Sequence, residues 1–258
     1  MSTPASAARF SNRVQDYVRY RPGYPPALLH WLHHAQNVAC NARVADIGAG
    51  TGISSQMLLA AGHPVVAVEP NAAMRSAAES WLASDAGTAG FRAVPGSAEA
   101  TGLDDSSVDL VSAAQAFHWF DTQAIRPEWR RILAPGGRVL VYWNSRLLEG
   151  SRFLRGYEQL LLDHGTDYRA VAERYPSDAD MRAWFGDGLQ AIGMFPNVQM
   201  LDYESLQGRL LSSSYAPVAG DPKHAPMLAA LRALFDAEAI DGQVAFEYQT
   251  RAFLGTLD

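Results

Sequence analysis

Between Ala42 and Asn144 the chain repeats one pattern. Apolar runs at 43–47, 64–68, 91–94, 108–112 and 137–143 alternate with stretches of helical spacing at 53–61, 71–83 and 121–133. Short, uniformly apolar runs are what strands become when both faces of their sheet are covered. Their alternation with helices predicts a parallel, doubly wound α/β sheet joined by right-handed crossovers. The Ala134-Pro135-Gly136-Gly137 turn predicts the stop of one crossover helix and the start of the fifth strand. Upstream, Phe10 to Gln36 reads as two short helices split by Arg21-Pro22-Gly23-Tyr24-Pro25-Pro26. Proline disfavours helix in the residue before it but suits the first turn of a new one. Downstream the alternation lapses, and Phe153 to Ile192, with Leu154, Tyr157, Leu161 and Leu162 at helical spacing, predicts a helical insert. Val198 to Tyr203 and Val244 to Leu254 read as strands flanking a helix at Met227 to Ala239.

With 258 residues, 48% of them hydrophobic, one core is affordable, so a single domain over 1–258 is expected. It divides into an N-terminal helical lid (1–38), a ligand-binding core (39–145), the helical insert (146–195) and C-terminal strands with a helix (196–258). Lysine plus arginine number 21 against 27 acids, and 21 − 27 = −6 leaves no general basic surface for nucleic acid. The single Cys40 excludes an intramolecular disulfide framework and points to a reducing cytoplasm. No run approaches the ~20 apolar residues that span a bilayer, and Met1 to Arg9 lacks an apolar signal core, so a soluble protein without a membrane partner is expected.

Candidate chemistry lies at strand ends. The stretch Val44 to Gly52 is an apolar strand that ends in the acidic Asp46 and then a glycine turn, Gly48-Ala49-Gly50-Thr51-Gly52. Glycines there let the backbone turn tightly and approach a ligand. The next strand ends in Glu69, whose carboxylate is placed to accept from both hydroxyls of a ribose. Two strand ends thus point at one nucleotide-type ligand. A nicotinamide dinucleotide would also use an acid after the second strand, but its fingerprint sets the third glycine three positions after the second, whereas here glycines alternate.

These residues resemble the class I S-adenosylmethionine-dependent methyltransferases. Asp46 to Gly52 with Glu69-Pro70-Asn71 is similar to that family's first motif and its acidic partner. Gly96-Ser97-Ala98-Glu99, Val108 to Val111, Ala116 to Asp121 and Arg131 to Gly137 follow in the family's order. With Tyr17-Val18-Arg19-Tyr20-Arg21-Pro22-Gly23-Tyr24-Pro25 they resemble the small-molecule branch, a type 11 methyltransferase domain like that of trans-aconitate methyltransferase. The resemblance implies a Rossmann-like seven-stranded sheet, mostly parallel with an antiparallel last strand, plus N-terminal helices and a helical cap. Its implied cofactor is S-adenosyl-L-methionine, held by Tyr20, Arg21, Asp46, Gly48, Ala49, Gly50, Gly52, Glu69, Pro70, Asn71, Met74, Ala98, Glu99, Gln115 and Ala116.

Several of these have an ordinary reading beside the functional one. Asp46 orients the turn or touches the ligand, Met74 lies by adenine or in the core, and Glu99 meets the adenine edge or water. Arg21 presents a fork that fits the carboxylate of the cofactor or of an acidic substrate, or it ends a surface helix. His118, after the fourth strand, is the candidate catalytic base, or a polar anchor beside the ligand. Tyr17, Tyr24, Phe117, Trp119 and Arg146 are the candidate substrate residues, aromatic faces suiting a sulfonium or an apolar acceptor. The expected reaction is O-methylation of a small carboxylic acid or hydroxyl. N- or C-methylation of an aromatic metabolite, or cofactor binding without transfer, stays open. No metal is expected, no nucleic acid partner, and a monomer or homodimer.

Overall fold

The computed structural model describes residues 19–82 and 90–257. Seven strands, β1 (Val44–Ile47), β2 (Val65–Val68), β3 (Phe91–Val94), β4 (Val108–Ala114), β5 (Leu133–Arg146), β6 (Leu189–Leu201) and β7 (Val244–Gly255), form one sheet in the order β3-β2-β1-β4-β5-β7-β6. Pairing is parallel from β3 through β5, and β7 runs antiparallel to both β5 and β6. The last strand of the chain is therefore the reversed one, as the resemblance implied. Strand order reverses between β1 and β4, and such a switch point opens a crevice at the carboxyl ends of the two strands.

Burial explains the layers. All four residues of β1 are fully buried, which an apolar run covered on both faces requires. On one face Leu28 of α1 (Pro26–His30), Leu58 of α2 (Ile53–Ala60) and Leu82 of α3 (Ala72–Leu82) pack with Val44, Leu110 and Leu140. On the other, Ile125, Trp129 and Ile132 of α4 (Ile125–Ile132) meet Ile47, Val111 and Val139. A third cluster joins α5 (Arg152–His164), α8 (Tyr203–Leu211) and α9 (His224–Glu238) to the first half of β7. Among the described residues no helix is long and apolar enough to cross a membrane.

The insert consists of α5, α6 (Tyr168–Ala172) and α7 (Asp178–Phe185). Ser151 caps α5 by accepting from the Leu154 amide, and Ser177 with Asp180 forms a reciprocal capping box on α7. Met181, Trp184 and Phe185 of α7 enter the α4 side of the core.

Three expectations need correction. The strand expected at 198–203 begins at Leu189, so 189–195 belong to the sheet and not to the insert. Pro196 reads as a strand breaker, yet β6 is an edge strand, where a missing N–H disturbs no ladder on the open side. Leu201 ends that strand, and Asp202 caps the unforeseen α8 by accepting from the Ser205 amide at 2.8 Å. The 134–137 turn is absorbed within β5 as a register irregularity, with Gly136 at φ +76°.

Trp129 shows where the core is least tolerant. It is fully buried, its indole N–H donates to the Ala98 carbonyl at 3.1 Å, and it packs edge-on against Phe117, Phe120 and Trp184. Trp129→Ala is expected to cost about 3–5 kcal/mol in urea unfolding. A loss below about 1 kcal/mol would contradict this packing.

Candidate functional site

The turn after β1 is built by close approach. Gly48, Gly50 and Gly52 hold φ of +69°, +57° and +84°, which side-chain-bearing residues rarely adopt. A Cβ on Gly48 would lie 2.8 Å from the Ala116 Cβ and 3.0 Å from the Phe120 ring, so the turn after β1 touches the turn after β4. Gly52 serves a different contact, since its Cβ would meet Leu82 at 2.9 Å and Ala78 at 3.2 Å, both on α3.

Two carboxylates organise this turn from behind. Asp46 is fully buried and accepts from Ser55 Oγ at 2.7 Å and Ser54 Oγ at 3.3 Å, tying the end of β1 to the first turn of α2. Burial pushes its carboxyl up to about 6 against the pull of those hydroxyls, and the Glu69 charge adds to the rise. Glu69 accepts from the Gly50 amide at 3.0 Å and the Asn71 amide at 2.8 Å. Burial raises its carboxyl, with those amides and Arg75 opposing. Asn71 itself caps α3, accepting from the amides of Ala73 and Met74.

At the end of β4, Gln115 takes φ +55°, an unusual conformation for a residue with a side chain. From there its Nε2 donates to the Tyr175 hydroxyl at 2.6 Å while its Oε1 accepts from the Asn144 amide at 2.9 Å. It thus links β4, β5 and the insert. The short turn Phe117–Trp119 follows, and His118 stacks on Tyr175 with ring centroids 4.1 Å apart. Burial lowers His118 to about 3, helped by the charges of Arg174 and Arg21. It is therefore a neutral imidazole with little proton affinity.

Two cavities meet here. One is lined by Gly48, Ala49, Gly50, Tyr24, Ser54 and Ala114. The other, about 1050 Å³ including its open mouth, is lined by His118, Trp119, Arg146, Tyr168, Tyr175 and Tyr215. Arg21, Gln115, Asn144, Arg209 and Tyr248 line both, so they form the wall between two compartments of one crevice. Of these five, sequence reasoning missed Asn144, Arg209 and Tyr248. Asn144 directly follows the fifth apolar run and had a visible signal, whereas Arg209 sits on α8, between the core residues Leu206 and Leu210.

Other expected site residues stand elsewhere. Phe117 is buried among Phe120, Trp129 and Trp184, a core position and not a cavity wall. Tyr20 lies over Gly208, where a Cβ would come within 2.2 Å of its ring, and its hydroxyl donates to Glu204. Met74, Ala98 and Ala116 are buried, Pro70 is exposed, and Glu99 is half-buried. The Met74 sulfur is 3.8 Å from where a Gly50 Cβ would stand. Arg146 lines the second cavity but is already engaged, by Glu158 and by the Tyr168 hydroxyl at 2.9 Å. Tyr17 lies outside the described residues. Among the described residues no cluster of three or more metal-ligating side chains occurs.

Comparison with known proteins bears on the fold and its core. Residues 45–141 match the model of a family described as methyltransferase domain. An uncharacterized methyltransferase of Mycobacterium tuberculosis is 42% identical over 137 residues, which cover 53% of this chain and 52% of that protein. The matched stretch thus spans about half the length of the first curated relatives. The solved structure of a putative type II methyltransferase from Anaeromyxobacter dehalogenans superposes with a TM-score of 0.66 at 22% identity, covering 92% of this chain and 98% of its own. A phosphoethanolamine N-methyltransferase from Haemonchus contortus has a TM-score of 0.57 at 15% identity, covering 95% of this chain and 57% of its own, and was solved with phosphomonomethylethanolamine and S-adenosylhomocysteine. At those identities the likeness is one of fold, and the sequence match is to a methyltransferase domain over residues 45–141.

Proposed function

We propose that the protein is an S-adenosylmethionine-dependent methyltransferase acting on a small molecule, by O-methylation of a carboxylic acid or hydroxyl. The observation that carries this reading is the shared wall of Arg21, Gln115, Asn144, Arg209 and Tyr248 between the glycine-turn cavity and the cavity under the insert. A methyl donor and its acceptor need adjoining compartments of this kind.

The residues present fit the cofactor. A Cβ on Gly50 would find only the Met74 sulfur within 4 Å, so this position leaves a cradle that a side chain would fill. Glu69 spends two of roughly four lone-pair sites on Gly50 and Asn71, leaving acceptors for a ribose diol. Asn71, Pro70, Met74, Ala98, Glu99 and Ala116 are the adenine side of this reading, Gly48, Ala49, Gln115 and Arg21 its methionine side. When bound, S-adenosylmethionine supplies a methyl group on a sulfonium that leaves without acid assistance. The chain's own task is then to position reactants and exclude water, worth roughly 7–11 kcal/mol in good intramolecular systems.

His118 contributes as a flat, neutral wall stacked on Tyr175, a role that an already ionised carboxylate acceptor allows. The net charge of −6 and the modest size of the crevice, about 1050 Å³ with its mouth, support a small acceptor over nucleic acid. Trp119, Tyr168, Tyr175 and Tyr215 around the second cavity favour N- or C-methylation of an aromatic metabolite as the second reading.

Calorimetric titration with S-adenosylhomocysteine tests the cofactor site: Glu69→Ala is expected to weaken binding at least about tenfold, or 1.4 kcal/mol, and unchanged affinity would remove the ribose assignment. Formation of S-adenosylhomocysteine in a screen of acids, phenols and amines then separates the two readings from a protein that only binds the cofactor. His118 gives a pH signature. In the unfolded chain it takes up a proton near its ordinary value of 6.5, in the folded chain only near 3. The unfolded state therefore binds more protons between these values, and stability falls as pH drops from 6.5 towards 3. His118→Gln is expected to flatten that part of the stability profile, and an identical slope in the variant would show that the imidazole is not held neutral.

A further inference from the structure

The charge balance of the crevice is unlike that of the protein. The chain carries −6 overall, yet among the described residues no aspartate or glutamate lines either cavity, and three arginines, 21, 146 and 209, line the larger one. Arg146 is matched by Glu158. Other arginines of the described residues pair on or near the surface, Arg43 with Asp109, Arg131 with Glu128 and Asp105, and Arg232 with Asp236.

Arg209 is different. It is 6% exposed and forms no ion pair among the described residues. Two of a guanidinium's five N–H donors are used, Nε towards the Tyr248 hydroxyl at 3.0 Å and Nη1 towards Ser213 Oγ at 3.1 Å. The Tyr248 hydroxyl in turn donates to Gln199 Oε1 at 2.9 Å, and the Phe246 ring lies 5.4 Å from the guanidinium carbon. These contacts fix the orientation of the group while leaving three donors for the crevice. A buried guanidinium without an anion is costly, so such a residue marks a place where an anion arrives.

Tyr215 lines the same cavity and reports the field there. Burial alone would raise its hydroxyl, yet Arg209 and Arg21, with Ser213 and Arg146 behind them, bring it below the ordinary value. Nearby, the Tyr157 hydroxyl is buried without a hydrogen-bond partner and feels Arg209 and Arg146.

We infer that Arg209, with Tyr215 beside it, is the specificity anchor for an oxyanion, carboxylate or phosphate, carried by the methyl acceptor. The inference rests on the methyltransferase reading and names the acceptor class within it. A guanidinium fork matches either oxyanion and gives little to a neutral amide, so the anchor discriminates by charge as well as by shape. Because Arg209 also borders the glycine-turn cavity, its rival role is to hold the cofactor's own carboxylate.

The experiment separates these outcomes. The full chain is first saturated with S-adenosylhomocysteine in a calorimeter, and failure at this step is failure of the methyltransferase reading alone. The saturated protein is then titrated with malonate, succinate, glutarate and inorganic phosphate, and with succinamide and glutaramide as neutral controls. At least one anion is expected to bind, the diamides at least about tenfold more weakly, and the family that binds identifies the oxyanion. Arg209→Gln is expected to weaken that anion at least about tenfold while leaving S-adenosylhomocysteine within about twofold, with partial recovery in Arg209→Lys. The inference is overturned if no anion binds, if the diamides bind equally, or if Arg209→Gln weakens S-adenosylhomocysteine and spares the anion. Should that variant fail to fold, Tyr215→Phe decides: an anion weakened by about threefold at unchanged S-adenosylhomocysteine affinity supports the anchor, and unchanged anion affinity removes it.

Discussion

Two turns touch at the head of the sheet, and the crevice exists because they can. Gly48 after β1 lies so close to Ala116 and Phe120 after β4 that no other side chain fits without displacing one of them. That contact sets how far apart the two strand ends stand at the switch point. The glycine cradle, Glu69 and the Gln115 bracket all take their positions from it. Asp46 holds the cradle from below through Ser54 and Ser55, and Glu69 holds it from the side through the Gly50 amide. Both acids are buried and raised, so each depends on the hydroxyl and amide donors that face it.

A second constraint comes from the reversed strand. β7 runs antiparallel between β5 and β6, and it delivers Tyr248, paired with Arg146 on β5, from the far end of the chain to the crevice that Asn144 also lines. Asn144 accepts from Thr250 on β7 and from Asn197 on β6, so three neighbouring strands share one polar seam under the cavities. The α8 helix lays Arg209 against that seam. An acidic protein thereby encloses a basic crevice, a separation of charge that composition alone does not display.

Much of this was legible in advance, and the reason is physical. A parallel strand covered on both faces must be apolar throughout, so β1, β2 and β4 announce themselves, and glycines at positive φ cannot be exchanged freely, so the turn at 48–52 announces itself too. Edge strand β6 was half hidden, because an edge tolerates Pro196 and the half-buried polar residues Asn197 and Gln199 that interrupt an apolar run. Phe117 was misplaced for the converse reason. An aromatic next to a ligand and an aromatic inside a core have the same spacing in the sequence, and only packing against Trp129 and Trp184 distinguishes them.

The sequence by itself determined the doubly wound core, the glycine turn, the acid after β2 and the match of residues 45–141 to a methyltransferase domain, since each is encoded within a few neighbouring positions. Only the tertiary structure decided which distant residues face that core. Arg21, Arg209, Tyr215 and Tyr248 converge on Gln115 and Asn144 from elements up to 227 positions apart, as 248 − 21 shows. Their meeting depends on strand order, helix packing and the burial of the Arg209 guanidinium, none of which has a local signature, because the forces that impose them act through space and not along the chain.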